Sequence, residues 1–415
     1  MHKPHIIVIA LALDPFRGSE PGKGWWWATA LSHFFHLHII TRAINIQPCL
    51  NALAGNNSEW SFYPTHTSLD TSTSTFGYYC LYRNWLQEAV GVAAEIKTSH
   101  PVQGLFHLTL GSFRILPRYD LLGIPYVVGP LGGGECAPMS FLKDRTVPLK
   151  HMLFEWARPL ANGLFCLVPG LRKTLSRASL TLATSEESAQ VLRRMGAQHT
   201  VAVFPDAYDD FIDTAAVMEN RLQQKEVVGQ KIRLLWQGRA LWWKCPDLAM
   251  DLVAKALHKG IRMELTMVGD WTGSVGKSIA QQAARLGLGD HVQFLAGMPR
   301  QEFLGLQASH HGFLATSLHD SGGIPLLEAQ ARGLPCFTLG LGGNRESACP
   351  KAGVPDGGTN PAEFITRSIN CLQQWQENPE QWFDEAKAAL HYSSTFTNAR
   401  LQAYVREHVL TALEI

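Results

Sequence analysis

Two carboxylates stand on either side of a Ser-Gly-Gly turn in SLHDSGGIPLLEAQARG, residues 317–333. Asp320 ends a loop, and Glu328 follows about two helical turns later in an apolar stretch that predicts a helix. The backbone amides of the turn would be donors at the start of that helix, where the helix dipole favours an anion. A carboxylate on each side of such an anion site can accept hydrogen bonds from sugar hydroxyls.

Two cations follow a buried apolar run upstream, in LLWQGRALWWKCPDL. Arg239 offers a planar fork of donors and Lys244 a point charge, and together they suit a diphosphate. The cations, the amides and the two carboxylates therefore predict a site for a nucleoside diphosphate sugar. Each residue taken alone has an ordinary alternative as a surface charge or a helix-cap residue.

Three glycine-rich loops also invite a nucleotide interpretation. GPLGGGECA at 129–137 has the spacing of a dinucleotide fingerprint, but Pro138 follows at once and no clean crossover helix comes after it. VGDWTGSVGKS resembles a phosphate-binding loop, but Trp271 stands where that motif needs its first glycine. These departures argue against NAD binding and ATP hydrolysis. GSEPGKG, which contains Gly18, is either a phosphate contact or a tight turn.

Apolar runs that alternate with helical stretches indicate the elements that would position these loops. Strands are predicted at 5–12, 37–42, 104–108, 124–129, 180–184, 232–237, 263–268, 291–295, 312–316 and 335–339. This alternation predicts an α/β fold of two doubly wound domains with parallel sheets, joined by an acidic and polar connection near 205–231. Ligands of such sheets bind beyond the carboxyl ends of the strands, where the candidate loops lie.

Length and composition fit this organisation. The chain has 415 residues, more than a single hydrophobic core usually accommodates. Of these residues, 46% are hydrophobic and 17% are charged. The net charge of +1 argues against nucleic acid as a partner. The eight cysteines have no paired spacing, and HIIVIALAL is too short to span a membrane, so a cytoplasmic protein is expected.

Four segments of the second half follow one another in the order LLWQGRALWWKCPDLAMDLVAKAL, MELTMVGD, HVQFLAGMPRQEFLGL and SLHDSGGIPLLEAQARGLPCFTLGLGGNRE. In this order they resemble the second half of retaining GT-B glycosyltransferases of family four. GSEPGKGWWWATAL, FHLTLGSFRILPRYDLLGIPYVVGPLGGGECAP and LTLATSEES are similar to a bacterial, DSGG-containing branch of that family. The resemblance implies two Rossmann-like domains facing across a cleft, an acceptor-side domain at 1–204 plus about 395–415 and a nucleotide-sugar domain at 205–394.

The resemblance also implies roles in the second domain. Arg239 and Lys244 match the basic pair on the donor diphosphate, and Glu328 matches the acid that binds the donor ribose. Asp320 takes the place of the first acid of the family's pair. That acid is usually a glutamate, one methylene longer, so the departure leaves the identity of the transferred sugar open.

In the first domain, Gly18 matches the loop glycine near the donor phosphate, and His107 matches a histidine that faces the reacting sugar. Without the resemblance, His107 would be a satisfied core residue. The predicted catalytic groups are Asp320, His107, Arg239 and Lys244. The predicted donor-binding residues are Gly18, Arg239, Lys244, Ser321, Gly322, Gly323 and Glu328.

Enzymes of this kind are metal-independent and move a sugar to a glycan, a lipid-linked or a small-molecule acceptor. No cofactor or metal is expected, because YDDF at 208–211 falls in the connection, and His36 and His38 share a strand face without a third ligand. Segment 139–177 mixes Phe, Leu and Trp with Lys and Arg, which predicts either contact with the inner face of an anionic membrane or a packed helical insertion. A nucleotide-sugar epimerase and a non-catalytic sugar-nucleotide-binding protein are the alternatives.

Overall fold

The computed structural model of the chain describes residues 3–56, 58–67, 75–143, 148–201 and 212–415. These residues fall into two compact units. The first unit lies within Met1–Gly134, Pro159–Asp209 and Thr397–Ile415, and the second within Glu135–Arg158 and Asp210–Phe396.

The first unit is built on a seven-stranded sheet. Its strands are β1 (His5–Ile9), β2 (His36–Arg42), β3 (Trp60–Thr65), β4 (Val102–His107), β5 (Tyr126–Leu131), β6 (Leu180–Ala183) and β7 (Thr200–Val201). They lie in the order β3-β2-β1-β4-β5-β6-β7, and the pairs are parallel. The strand order reverses between β1 and β4, which places a ligand crevice at the carboxyl ends of these two strands.

The second unit repeats this arrangement with six strands. They are β8 (Ile232–Gln237), β9 (Met263–Val268), β10 (Val292–Leu295), β11 (Gly312–Ala315), β12 (Cys336–Thr338) and β13 (Gly353–Val354). Their order is β10-β9-β8-β11-β12-β13, again with parallel pairs. The switch point here lies between β8 and β11. Two doubly wound units with parallel sheets confirm the predicted α/β class of the GT-B type.

Helices connect and cover the strands. In chain order they are α1 (Ser19–Ser32), α2 (Ala43–Leu53), α3 (Thr75–Ser99), α4 (Ser140–Lys143), α5 (Leu149–Phe165), α6 (Pro169–Arg177), α7 (Glu186–Arg194), α8 (Thr214–Gln230), α9 (Pro246–His258), α10 (Ser274–Arg285), α11 (Arg300–Gln307), α12 (Ile324–Gln330), α13 (Gly343–Ser347), α14 (Pro361–Glu377), α15 (Pro379–Ser393), α16 (Asn398–Tyr404) and α17 (Leu410–Ala412). A π-helical turn at Val405–Val409 joins the last two.

Each of the ten predicted strand segments overlaps a strand of the structure. The sequence did not predict β3, β7 and β13. β7 and β13 contain two residues each, too few for a periodic pattern. β3 reads WSFYPT, and its polar residues and proline hide the alternation that would indicate a strand.

The units of the structure and the predicted domains differ most in one segment. Residues 135–158, predicted within the first domain, belong to the second unit. Phe141 and Leu142 are fully buried in the core of that unit, and the ring of His151 stacks on Trp242 at 4.7 Å. The segment belongs to the second unit because its apolar side chains are buried in this core, although it follows a strand of the first unit in the chain.

The chain returns to the first unit at its end. Leu401, Val405 and Val409 are fully buried in the core that contains Ile6 and Val8 of β1. Part of the predicted connection, 214–230, is α8, a helix of the second unit. The remainder, with YDDF at 208–211, lies outside the described residues.

Candidate functional site

Two loops of the second unit meet at its switch point. The loop after β8 carries Arg239 and Lys244, and the loop after β11 carries Asp320. Leu318 N donates to the carbonyl oxygen of Trp243 at 2.8 Å, and Thr316 Oγ1 donates to that of Lys244 at 2.7 Å. The backbone thus ties the two loops together at the edge where a doubly wound sheet binds its ligand.

Lys244 and Asp320 form an ion pair within these loops. Lys244 Nζ lies 2.8 Å from Asp320 Oδ2, and each side chain is 23% exposed. Partial exposure lets a ligand reach either charge, so a phosphate can bind the ammonium group and a hydroxyl can donate to the carboxylate. The structure thus brings together two residues that lie 76 positions apart in the sequence.

Arg239 lies at the mouth of the same loop. The preceding amide, that of Gly238, donates to the carbonyl oxygen of Val268 at 3.1 Å, and the Leu241 amide donates to the Arg239 carbonyl oxygen at 2.7 Å. These bonds fix the backbone at the carboxyl end of β8, while the Arg239 side chain is exposed. Its guanidinium is therefore available to an anion at this edge.

The Ser-Gly-Gly turn lies between the two carboxylates and leads into α12. Gly323 has φ of 59°, and a Cβ placed on it would lie 2.3 Å from Ser347 Oγ. The Gly343 amide donates to the carbonyl oxygen of Asp320 at 2.7 Å. The positive φ and the close contact require glycine at 323, and the backbone bond holds the turn close to α13.

Glu328 is buried in α12, with its side chain 7% exposed. Arg300, the first residue of α11, donates from Nε to Glu328 Oε1 at 2.8 Å. The positive charge of Arg300 compensates the buried negative charge of the Glu328 carboxylate and fixes the orientation of that group. The sequence did not point to Arg300, because the two partners lie on different helices 28 residues apart.

Both rejected nucleotide motifs pack against other parts of the protein. Trp271 packs on Trp236 with ring centroids 5.6 Å apart and donates from Nε1 to the carbonyl oxygen of Leu295 at 2.9 Å. In GPLGGGECA, the amide of Gly134 donates to Ser188 Oγ at 3.0 Å, and a Cβ there would lie 2.5 Å from the Ser188 Cα. Both loops thus pack against neighbouring protein atoms, and the rejection of NAD binding and ATP hydrolysis stays a prediction.

Gly18 lies in the corresponding loop of the first unit, after β1. It precedes α1 in an extended conformation with φ of −76°. Glu20, in the first turn of α1, accepts a hydrogen bond from the Leu110 amide at 2.7 Å. Tyr82 donates to the Leu110 carbonyl oxygen at 3.0 Å. The Glu20 contact joins the segments after β1 and β4, the two strands at the switch point, and the Tyr82 contact joins α3 to the loop after β4. The sequence did not single out Glu20 or Tyr82.

His107 ends β4 and is fully buried. Its Nδ1 lies 2.5 Å from the Tyr119 hydroxyl, and its Nε2 lies 3.3 Å from the Tyr82 hydroxyl. Burial lowers the pKa of His107 to about 4, so the ring is neutral at pH 7. Since both ring nitrogens contact tyrosines, the predicted contact with a sugar would require one of them to be released; that contact stays a prediction.

Comparison with known proteins relates part of the chain to a described family. Residues 218–388 match the family described as glycosyl transferases group 1. The matched stretch lies within the second unit. Of the predicted site residues, it contains Arg239, Lys244, Asp320, Ser321, Gly322, Gly323 and Glu328. Gly18 and His107 lie outside the matched stretch.

Individual relatives extend the likeness beyond this matched stretch. A D-inositol 3-phosphate glycosyltransferase of Frankia alni is 29% identical over 149 residues, which are 34% of this chain and 37% of that protein. The chain thus spans about a third of that relative. The enzyme of the same name from an Arthrobacter species is 22% identical over 311 residues, 72% of each chain.

A solved structure supports the fold over the whole length. HepE of Anabaena, in complex with UDP and glucose, superposes with a TM-score of 0.62 at 17% identity and covers 98% of this chain and 99% of its own. Among the described helices of the present chain, none has the length and apolar character needed to cross a membrane.

Proposed function

We propose that the chain is a retaining glycosyltransferase that takes its sugar from a nucleoside diphosphate sugar without a metal ion. The observation that carries the proposal is the placement of Arg239, Lys244 and Asp320 on two tied loops at the switch point of a group 1 domain. The D-inositol 3-phosphate glycosyltransferases among the relatives and the UDP and glucose bound by HepE support it. The group 1 match favours sugar transfer over the epimerase and the non-catalytic alternative.

Each residue of the group 1 domain would bind one part of the donor. Arg239 and Lys244 bind the diphosphate, together with the amides of the turn at 321–323. Glu328, held by Arg300, accepts hydrogen bonds from the ribose hydroxyls. Asp320 accepts hydrogen bonds from the sugar that is transferred, and its short side chain selects which sugar fits.

Catalysis follows from where negative charge develops. As the bond between the anomeric carbon and the diphosphate oxygen breaks, the leaving diphosphate gains charge beside Arg239 and Lys244, which stabilise it. The acceptor hydroxyl attacks the anomeric carbon from the face that the diphosphate leaves, and its proton passes to a departing phosphate oxygen. The configuration at that carbon is therefore retained. The contacts proposed for Gly18 with the donor phosphate and for His107 with the sugar rest on the family resemblance.

The acceptor in this proposal is lipid-linked and lies at an anionic membrane surface. Exposed apolar side chains recur along α5, at Leu149, Leu153, Trp156, Leu160 and Leu164. Exposed basic residues accompany them, namely Lys150, Arg172 and Lys173. An apolar stripe with adjacent lysine and arginine suits the interface of an anionic bilayer.

A cavity of the first unit could hold the hydrocarbon part of such an acceptor. It has a volume of about 810 Å³ and lies among α3, the loop at 114–122 and α6. Its lining is mainly apolar and includes Leu86, Leu116, Phe165 and Leu171, with Arg83 among the polar residues. A lipid chain would be shielded from water there, with a cation available to a phosphate.

The donor proposal is tested by ligand-dependent stability followed by transfer. Thermal unfolding is measured with UDP, GDP, ADP and their common sugars, since a specific ligand raises the melting temperature with occupancy. The stabilising donor is then incubated with lipid-linked acceptors in the presence of EDTA, and the anomeric configuration of the product is read by NMR. A retained configuration supports the proposal. Inversion, or stabilisation by ATP with phosphate release, would overturn it.

A further inference from the structure

Three histidines come together at the amino ends of β1 and β2. Parallel pairing places His5 beside His36, and His38, two residues further along β2, projects to the same face of the sheet. One ring nitrogen from each of the three lies within 4.8 Å of the others, and His5 Nδ1 is 2.9 Å from His38 Nε2. His5 therefore supplies the third ligand that the sequence did not provide for His36 and His38.

Neighbouring hydroxyls orient two of these rings. Ser61 Oγ lies 3.0 Å from His36 Nε2, and Tyr63 OH lies 3.0 Å from His38 Nδ1. In His38 the contact engages Nδ1 and leaves Nε2 directed at the cluster, 2.9 Å from His5 Nδ1. Metal-ligating histidines are held in this way by outer hydrogen-bond partners.

Solvent can reach the histidine cluster. His38 is buried, whereas His5 and His36 are partly exposed, so an ion can enter from solvent.

We propose that His5, His36 and His38 bind one Zn²⁺ ion. Three imidazoles suit zinc among the divalent metals, with water or the nearby His100 as the fourth ligand. The ring centroid of His100 lies 4.5 Å from that of His38. Tetrahedral bonds of about 2.0–2.1 Å would place the ligand nitrogens about 3.4 Å apart, which rotation of the partly exposed rings can achieve.

The proposed ion has a structural role rather than a catalytic one. It lies at the amino ends of β1 and β2, the edge opposite the carboxyl ends where doubly wound sheets bind substrates. There it would link the first two strands of the sheet, and through His100 it would reach the residues that precede β4. This inference does not depend on the proposed transfer reaction and is compatible with metal-independent catalysis.

The test is titration of the EDTA-treated full chain with ZnCl₂ by calorimetry at pH 7.5. We expect one tight site per chain, at least tenfold weaker binding in His38→Gln and in His5→Gln, and unchanged binding in the matched control His33→Gln, an exposed histidine close to β2. Zinc should raise the melting temperature of the wild type and His33→Gln but not of the other two variants. The use of two ligand variants guards against misfolding, which the metal-free melting temperatures would reveal.

Two results would overturn the zinc site. One is a wild-type chain that binds no stoichiometric zinc. The other is a His33→Gln variant that loses as much affinity as the ligand variants, which would mean that zinc binds surface histidines without preference. Co²⁺ in place of Zn²⁺ should give the intense visible absorption of tetrahedral coordination; the weak absorption of a six-coordinate ion would also contradict the proposal.

Discussion

The ammonium group of Lys244 lies 2.8 Å from the carboxylate of Asp320, across the switch point of the second sheet. The proposed function assigns these two residues to different parts of one donor, the diphosphate and the sugar. A donor that contacts both would replace their mutual ion pair with a charge-assisted bond to each. In the proposed function, the pair therefore lies at the junction between the phosphate and the sugar of the donor.

Replacing Lys244 with alanine should lower kcat/KM for transfer by about 10²–10³, the usual cost of losing one preorganised group that stabilises a developing anion. Arg239→Ala should lower it in the same way. The control is Lys277→Ala, which removes an exposed lysine from the rejected phosphate-loop motif and should leave the rate unchanged. Steady-state kinetics with the stabilising donor measures all three. Equal losses for Lys244 and Lys277 would place the phosphate site elsewhere.

Arg300→Ala should weaken both the fold and the donor complex. The change removes the 2.8 Å bond to a buried carboxylate, so the free energy of unfolding should fall by about 1–3 kcal/mol. The donor KM should rise because Glu328 is no longer held in one orientation. Urea unfolding and donor kinetics provide the two measurements.

Arg285→Ala serves as the comparison for Arg300, since it removes an exposed arginine from the end of α10. Its stability and donor KM should remain those of the wild type. A stable Arg300→Ala protein with an unchanged KM would show that the ion pair does not support donor binding.

Gly323→Ala should be strongly destabilising. The residue has φ of 59°, and the added methyl group would lie 2.3 Å from Ser347 Oγ. The left-handed backbone alone costs about 1–2 kcal/mol for alanine, and the collision adds to it. Gly289→Ala provides the control, because nothing lies within 4 Å of a Cβ at that exposed position. Similar urea midpoints for the two variants would contradict this account of the turn.

Stability should fall in mild acid because of His107. Its pKa is about 4 in the folded chain against about 6.5 when exposed, and burial is the main cause. Between these pH values the unfolded chain binds a proton that the folded chain does not. The free energy of unfolding therefore decreases as pH falls from about 6.5 to about 4, by about 3 kcal/mol for this group.

The variant His107→Gln isolates this contribution. Its unfolding free energy should depend less on pH than that of the wild type over this range, as measured by urea unfolding at several pH values. His391→Gln, which changes an exposed histidine of α15, should keep the wild-type dependence. Identical slopes for wild type and His107→Gln would mean that this ring is protonated in the folded chain.

The sequence predicted most of the fold because its strands are apolar runs of sufficient length. β8, IRLLWQ, is such a run, and its exit glycine and the following cations could be recognised directly. β3 was not predicted because its polar residues and proline obscure the alternation that indicates a strand. The assignment of 135–158 to the second unit was also not predicted, because the sequence of that segment does not show which core its phenylalanine and leucine will enter.

The parts of the candidate site that the sequence could not predict are contacts between residues far apart in the chain. Arg300 and Glu328 lie 28 residues apart, and His5 and His38 lie 33 apart. Each of these pairs depends on how two elements are placed in the fold rather than on local spacing. The sequence could propose Glu328 and notice His38, but their partners became visible only once the helices and strands were placed.

The apolar stripe of α5 should bind anionic membranes. Trp156→Ser and Leu164→Ser each remove an exposed side chain, of 66% and 60% exposure, and each should weaken binding to phosphatidylglycerol vesicles about tenfold or more, given about 1.5–3 kcal/mol for burying such a side chain. Co-sedimentation measures the bound fraction. Phosphatidylcholine vesicles should bind less wild-type protein, because the basic residues near the stripe require anionic lipid.

Leu222→Ser is the matched control for the membrane experiment, since it removes an exposed leucine, 54% exposed, from α8 in the second unit. It should bind vesicles as the wild type does. If all three serine variants lose binding equally, general surface hydrophobicity accounts for the interaction. If the wild type binds neither lipid, α5 does not contact a membrane and the acceptor must be sought among water-soluble sugars.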